Sequence, residues 1–435
     1  MTLLSESRIS LLATNLYRGS AAFLVIYGLG SAISFGVHLL MARLLGAKSY
    51  GYFVYAPNWM AILLLGCNLG LKPTVIRFVA AYKARGEWES LRGFLRCSTG
   101  WTVAASAAVT SLSAIVLWLL RPRLDELGAT FALMALAMPF MALRDVWTSA
   151  VRGLGAIARS QYPVSIVQHV LVGIAFTTII FVVGKDGGAV SAAAAFLFAS
   201  FGAMVAARFF LRLELPRQVL TGPLNYFRAE WLHVAGSNLL ISVFQEVRAP
   251  LIVVIAGAYV DVQQIAYYVA AQRLANVMSL ALLGISGFAS PLMSQYFALA
   301  DFSRLQRLAH LSARGAFAGA LATALVLVGL GNDLLGFFGA AFKTAYLPLL
   351  VLLCGELCAA VVGPVGFFMT MTNRQVNATW IEAATSVIAI GLAFVLIPRY
   401  GILGAAMVVA VGSAVRNTAM FAALWRQLGL RSTIF

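Results

Sequence analysis

The sequence predicts an all-α polytopic membrane protein with about twelve transmembrane helices in two six-helix lobes. Three observations carry that prediction. The 435 residues are 61% hydrophobic and only 11% charged, whereas soluble chains run near 45–50% apolar and about 25% charged. The apolar residues arrive in long continuous blocks, and a bilayer core about 30 Å thick needs ~20 of them per helix. The blocks are also too long, and too free of alternation, for barrel strands.

Taken in order, the first six spans fall at 19–42, 53–71, 97–120, 129–150, 163–184 and 190–211. The second six fall at 232–258, 265–295, 313–335, 346–372, 380–397 and 402–425. Span 1 is too long for a signal-peptide core, and no small-residue cleavage site follows it. The corresponding lobes are 1–211 and 232–435, joined by a linker at 212–231. That linker and the segment 72–96 are the longest loops, and both read as basic amphipathic helices in the headgroups. The run IRFVAAYKAR at 76–85 repeats apolar and basic residues at helical spacing.

Lys and Arg set the orientation. With the N-terminus in the cytoplasm, cytoplasmic segments hold 20 of the 31 basic residues and the opposite face holds seven, among them Arg121, Arg123 and Lys185. Twelve spans then return the C-terminus to the cytoplasm. The formal charge of +16 is therefore a topology signal and a match to anionic headgroups, and no nucleic-acid partner is expected. Four cysteines within or beside apolar segments give no disulfide framework. No phosphate loop, metal cluster or nucleophile–base motif is present in the sequence, so an enzyme is not expected.

Spans 1–2 and 7–8 carry a faint repeat. LLGAKSYGYF at 44–53 is echoed by IAGAYVD at 255–261, and each copy leads through a span to a basic stretch. Two lobes in the same orientation, with a site between them, is a transporter plan.

Among the ionisable residues within the spans, eight are candidates for charges inside the bilayer: Arg144, Arg248, Arg273 and Arg416 against Asp145, Glu246, Glu356 and Glu382. A charge at the bilayer centre costs from ~3 to above ~10 kcal/mol, so such residues persist only when paired, interfacial or lining water. Arg144–Asp145 and Glu246–Arg248 are one and two positions apart and do not face each other on a helix, which puts their partners on other helices or on a ligand. Arg144 lies ~9 Å from a span end, within reach of snorkelling; Arg416 lies ~14 Å in, and Glu382 stands at the start of its span. Glu246 and Arg248 are the deepest, and Pro250 removes the hydrogen bond that would reach the Glu246 carbonyl. His38 reads as a satisfied membrane histidine, and Cys354 and Cys358 as helix packing.

Several ordered pieces resemble the polysaccharide-exporter family of the multidrug/oligosaccharidyl-lipid/polysaccharide (MOP) superfamily. They are ARLLGAKSYG at 42–51, NLGL at 68–71, YYVAAQRL at 267–274, Ser290-Pro291, Gly363-Pro364, MTNRQ at 371–375, RYGILGAA at 399–406 and Arg416-Asn417. The resemblance implies a MATE-like fold of twelve helices, no cofactor or metal, alternating access and residence in a bacterial inner membrane. It implies a flippase for undecaprenyl-pyrophosphate-linked oligosaccharide, with membrane lipids and polysaccharide polymerase machinery as further partners. Arg248, Arg273, Arg416 and Arg144 are the expected pyrophosphate ligands, since a guanidinium stays charged and grips phosphate oxygens in pairs. Glu246, Glu356 and Asp145 are the candidate acids for coupling to H+ or Na+. The alternative is a multidrug or metabolite cation antiporter of the same superfamily.

Overall fold

The structure, a computed structural model, describes residues 6–120, 126–184, 187–220, 222–430 and 432–434. Arg121, Arg123 and Lys185 lie outside the described residues. The chain divides into two compact units, one of residues 26–251 and one of residues from Ile252 onward with those up to Val25. The division falls at Leu251, inside a helix, rather than in the expected linker at 212–231.

The first unit contains α1 (Glu6–Asn68) from Ile26 onward, then α2 (Leu71–Arg85), α3 (Trp88–Leu120), α4 (Glu126–Gly153) and α5 (Ile157–Gln161). After a π-helical turn at Tyr162–Val167 come α6 (Gln168–Val183), α7 (Gly188–Glu214), α8 (Arg217–Leu220) and α9 (Arg228–Glu246). The first turn of α10 (Arg248–Tyr259) closes the unit. The second unit holds α11 (Val262–Ala275), α12 (Met278–Ala298), α13 (Phe302–Phe338), a 3-10 turn at Ala340–Ala345, α14 (Tyr346–Val361), α15 (Val365–Met371) and α16 (Gln375–Leu428).

Nine described helices are long and apolar enough to cross a bilayer, and the broken pair α9–α10 makes ten. Two of the nine are double crossings. The Tyr50 hydroxyl and His38 Nδ1 are 3.2 Å apart although 12 positions separate them in α1, a separation of ~18 Å along a straight helix. The chain therefore folds back at Gly46, whose φ of 74° is open only to glycine at low cost. In α16, Arg416 and Glu382 meet at 3.4 Å across 34 positions, ~51 Å along a straight helix. Here the reversal is at Gly401, φ 57°. Counting each hairpin twice gives the twelve crossings that the apolar runs predict.

Small residues bring the helices together. On α7, Ala192, Ala195, Ala199, Ala203 and Ala207 form a fully buried stripe at helical spacing, and α4 packs on α7. In the second unit, α13 buries Ala309, Ala313, Ala316, Ala320 and Ala324. A Cβ on Gly355 would lie 2.5 Å from the Cα of Ala410, so α14 and α16 touch backbone to backbone there. Lipid solvates apolar side chains as well as protein does, so close packing of small residues takes the place of the hydrophobic drive. Large apolar side chains such as Phe181, Leu112 and Trp118 are exposed, as a lipid-facing surface requires.

The two expected headgroup helices fare differently. α2 is a helix, but its apolar face (Val75, Phe78, Val79 and Tyr82) is buried in a cluster with Phe94, Val151 and Trp231 rather than left for lipid. The segment 212–231 is mostly not a helix of its own. α7 runs to Glu214, the short α8 follows, and 222–227 is irregular before α9 begins. Pro216, Gly222 and Pro223 break it. Arg92 holds it, donating from Nε to the Val219 carbonyl at 2.6 Å, from Nη2 to Gln218 at 2.9 Å and from Nη1 to Pro223 at 3.0 Å.

Candidate functional site

The most elaborate polar joint in the first unit lies where α1, α2 and α9 meet. α1 ends at Asn68, and Leu69 (φ 48°) and Gly70 (φ 70°) turn the chain into α2. The turn must be a glycine because α9 crosses it: a Cβ on Gly70 would lie 2.2 Å from the Ala235 carbonyl oxygen. From that crossing, α9 runs antiparallel to α2. Trp231 Nε1 donates to the Tyr82 hydroxyl at 2.8 Å, and Asn238 Nδ2 to Thr74 Oγ1 at 2.9 Å. At the far end, Lys72 Nζ donates to Glu246 Oε1 at 2.8 Å and Oε2 at 3.0 Å. Burial pushes the Tyr82 phenol up, and the Trp231 N–H offsets part of that rise.

Glu246 is the last residue of α9, and the helix breaks directly after it. Val247 keeps helical angles, α10 restarts at Arg248, and the axis bends by 54°. Pro250, in the first turn of α10, supplies no N–H to bridge the gap. Arg248 is half-buried, with its Nε inaccessible to solvent. The partner of Glu246 is thus on another helix, as expected, but it is Lys72, which sequence reasoning placed outside the spans.

Arg144 is the most buried of the four in-span arginines, 6% exposed, and it does not snorkel. Its Nε and Nη2 donate to Asp145 Oδ1 at 3.0 and 2.7 Å, and its Nη1 donates to Gln168. Gln168 Nε2 reaches Ser200 Oγ at 3.5 Å, and Asn68 Nδ2 reaches Asp145 Oδ2 at 3.4 Å. Helix geometry separates the Cβ atoms of adjacent residues, but a long arginine curls round to its neighbour's carboxylate when α1 and α6 supply the remaining partners. The expectation that this pair could not meet is corrected.

In the second unit, Arg416 pairs with Glu382 across the α16 hairpin, the side chains 24% and 14% exposed. Arg273, in the last turn of α11, and Glu356, on α14, are both half-buried. Arg144 and Arg248 belong to one compact unit, Arg273 and Arg416 to the other. His38 is hydrogen-bonded across the α1 hairpin, with the Tyr50 ring edge-on to it and the Phe53 ring tilted against it, the satisfied role expected of it.

No protein-family model and no curated protein matches the sequence. Solved structures do. An inward-facing multidrug resistance MATE family transporter of the MOP superfamily aligns with a TM-score of 0.71 at 16% identity, over 93% of this chain and 96% of that one. The fold is MATE-like. The lipid II flippase MurJ, in an inward closed conformation, aligns with a TM-score of 0.71 at 14% identity, over 92% of this chain and 87% of that one. A MOP-superfamily transporter from Pyrococcus furiosus, described as having a binding pocket of reverse polarity, aligns with a TM-score of 0.67 at 14% identity, over 95% and 96%.

Proposed function

We propose that this protein of MATE-like fold is a flippase that carries an undecaprenyl-pyrophosphate-linked oligosaccharide from the inner to the outer leaflet of a bacterial inner membrane, both termini cytoplasmic. The observation that carries this reading is the charge set of the helices. Lys72, Arg144, Arg248, Arg273 and Arg416 stand in this set beside five carboxylates, Asp145, Glu246, Asp333, Glu356 and Glu382. The basic side is four arginines and one lysine, and guanidinium groups suit an anionic cargo. A pyrophosphate carries two or more negative charges that hydrocarbon excludes, and arginine holds them without losing its own charge. Arg248, Arg273, Arg416 and Arg144 are the proposed ligands. Glu246, Glu356 and Asp145 are the acids proposed for coupling to H+ or Na+.

The second reading is a cation antiporter, favoured by the likeness to a multidrug resistance transporter. Such a protein needs a surplus of acid where its cargo binds. The Pyrococcus furiosus transporter, whose pocket of reverse polarity suggests a different function, is a precedent for pocket polarity varying on this fold. The deciding experiment is reconstitution of the purified protein in vesicles with a fluorescent polyprenyl-pyrophosphate glycan, beside a cationic dye. Glycan translocation is expected. Dye efflux without glycan translocation would overturn the flippase reading.

A further inference from the structure

We propose that Glu246 is a place-holder for an anionic headgroup: a phosphate or pyrophosphate captured at Lys72 displaces Glu246 and releases the end of α9 from α2. The proposal rests on the reading of the cargo as a lipid pyrophosphate and adds Lys72 to its site.

The charge pairs made by Arg144, Arg416 and Glu246 differ in kind. Arg144–Asp145 is sealed, its side chains 7% and 12% exposed, and Arg416–Glu382 is nearly so. Lys72–Glu246 is open, at 35% and 44%. A pair this accessible is screened and contributes little to stability, so it can be exchanged for another partner. The cation here is also the one lysine of the set. A lysine ammonium is a mobile, easily rehydrated point charge, whereas an arginine fork is committed to its geometry. Both Glu246 oxygens sit on the ammonium, as two phosphate oxygens would. A pyrophosphate brings at least twice the charge of the carboxylate it replaces.

The place of the pair in the fold turns exchange into movement. α9 is fixed to α2 at Trp231–Tyr82 and Asn238–Thr74, and its backbone presses on Gly70. Beyond Asn238, the ion pair is the hydrogen-bonded tie between the two helices that stands next to the break at Val247. With Lys72 taken by an anion, the last two turns of α9 are held at one end only, and the other end is a joint that Pro250 leaves without its hydrogen bond. Ligand binding then shifts the joint because it favours one arrangement of it over the other.

The test uses the purified full chain in detergent and inorganic pyrophosphate as the probe. Thermal unfolding is followed against pyrophosphate concentration for the wild type, K72Q, K72R, E246Q and K72Q/E246Q, with chloride at matched ionic strength as the control. If Lys72 is occupied about nine-tenths of the time, removing its competitor in E246Q lowers the half-saturating concentration ~10-fold. K72Q raises it, K72R falls between the wild type and K72Q because its fork holds Glu246 more firmly, and the double variant behaves as K72Q. Hydrogen exchange at 240–251 rises with pyrophosphate in the wild type and is already raised in E246Q without it, while 231–238 is unchanged. Equal half-saturation in wild type, K72Q and E246Q, or an equal response to chloride, overturns the proposal. Glycan translocation with an unaltered pyrophosphate titration in E246Q sinks the switch and leaves the flippase reading standing. The predicted titration without glycan translocation does the reverse.

Discussion

Arg416 on one arm of the α16 hairpin reaches Glu382 on the other at 3.4 Å, bridging the arms that reverse at Gly401. The pair is partly buried, so leaving either charge alone falls between the surface and fully buried cases, about 2 kcal/mol. E382Q and R416Q should each lower the thermal midpoint of the purified protein, and R416Q/E382Q should regain most of the loss. If Arg416 also holds cargo, the double variant is stable yet fails in vesicle translocation. A double variant that transports normally would confine Arg416 to a structural role.

The Arg144 network predicts a harsher result. The guanidinium serves Asp145 and Gln168 from a buried position, and removing it strands a carboxylate at a cost of about 3–5 kcal/mol. R144A should reach the membrane fraction at low abundance, R144A/D145A should recover partly, and R144K should fall short because a compact ammonium lacks the planar fork that spans Asp145 and Gln168. Immunoblots of membrane fractions with thermal unfolding of what can be purified would decide it. Normal abundance of R144A would mean that the network is dispensable.

Most of the chain's architecture can be read from the sequence because a bilayer imposes it: long apolar runs mark the crossings, and both hairpins were separated correctly into two runs. Five of the eight short pieces that carry the resemblance have a physical reason in the structure. ARLLGAKSYG contains Gly46, NLGL contains Leu69 and Gly70, Gly363 heads Gly363-Pro364, MTNRQ contains Asn373 and RYGILGAA contains Gly401, and every one of these residues has positive φ. These five are places where helices turn. What periodicity does not encode is which helix faces which. Lys72 and Glu246 are 174 positions apart, and the lysine stands one residue beyond an apolar run, where composition gives no sign of a partner. The linker's irregular backbone, by contrast, is marked by Pro216, Gly222 and Pro223, although the basic residues around them imitate a headgroup helix.

Tyr82 gives a pH dependence. It lies in α2, which is not among the helices able to cross a bilayer, and burial holds its phenol neutral to higher pH than in the unfolded chain. Above the ordinary phenol range near ~10, the unfolded state loses its proton first, so stability falls as pH rises. Below that range the contribution of Tyr82 is complete. Unfolding midpoints measured from pH 7 to 11 should therefore drop at the alkaline end, and Y82F should lessen that drop while losing a little stability throughout through the unpaired Trp231 N–H. An identical alkaline profile in Y82F would exclude Tyr82 as a source.

Gly70 and Gly86 make a matched pair for testing the α2–α9 crossing. Their φ angles are 70° and 72°, at the two ends of the same helix. An alanine at either pays the left-handed strain, roughly 1–2 kcal/mol. The surroundings differ entirely. Nothing lies within 4 Å of a Cβ on Gly86, whereas one on Gly70 would meet the Ala235 carbonyl oxygen at 2.2 Å and the Leu239 nitrogen at 2.5 Å. Backbone atoms of a packed helix cannot swing aside as a flexible side chain can, so α9 must shift bodily. G86A should then fold with a modestly lower thermal midpoint. G70A should be lost from the membrane fraction or, if recovered, should show raised hydrogen exchange along 231–246. Equal midpoints for the two variants would mean that α9 does not rest on Gly70, and the lever drawn from Trp231 to Glu246 would lose its fulcrum.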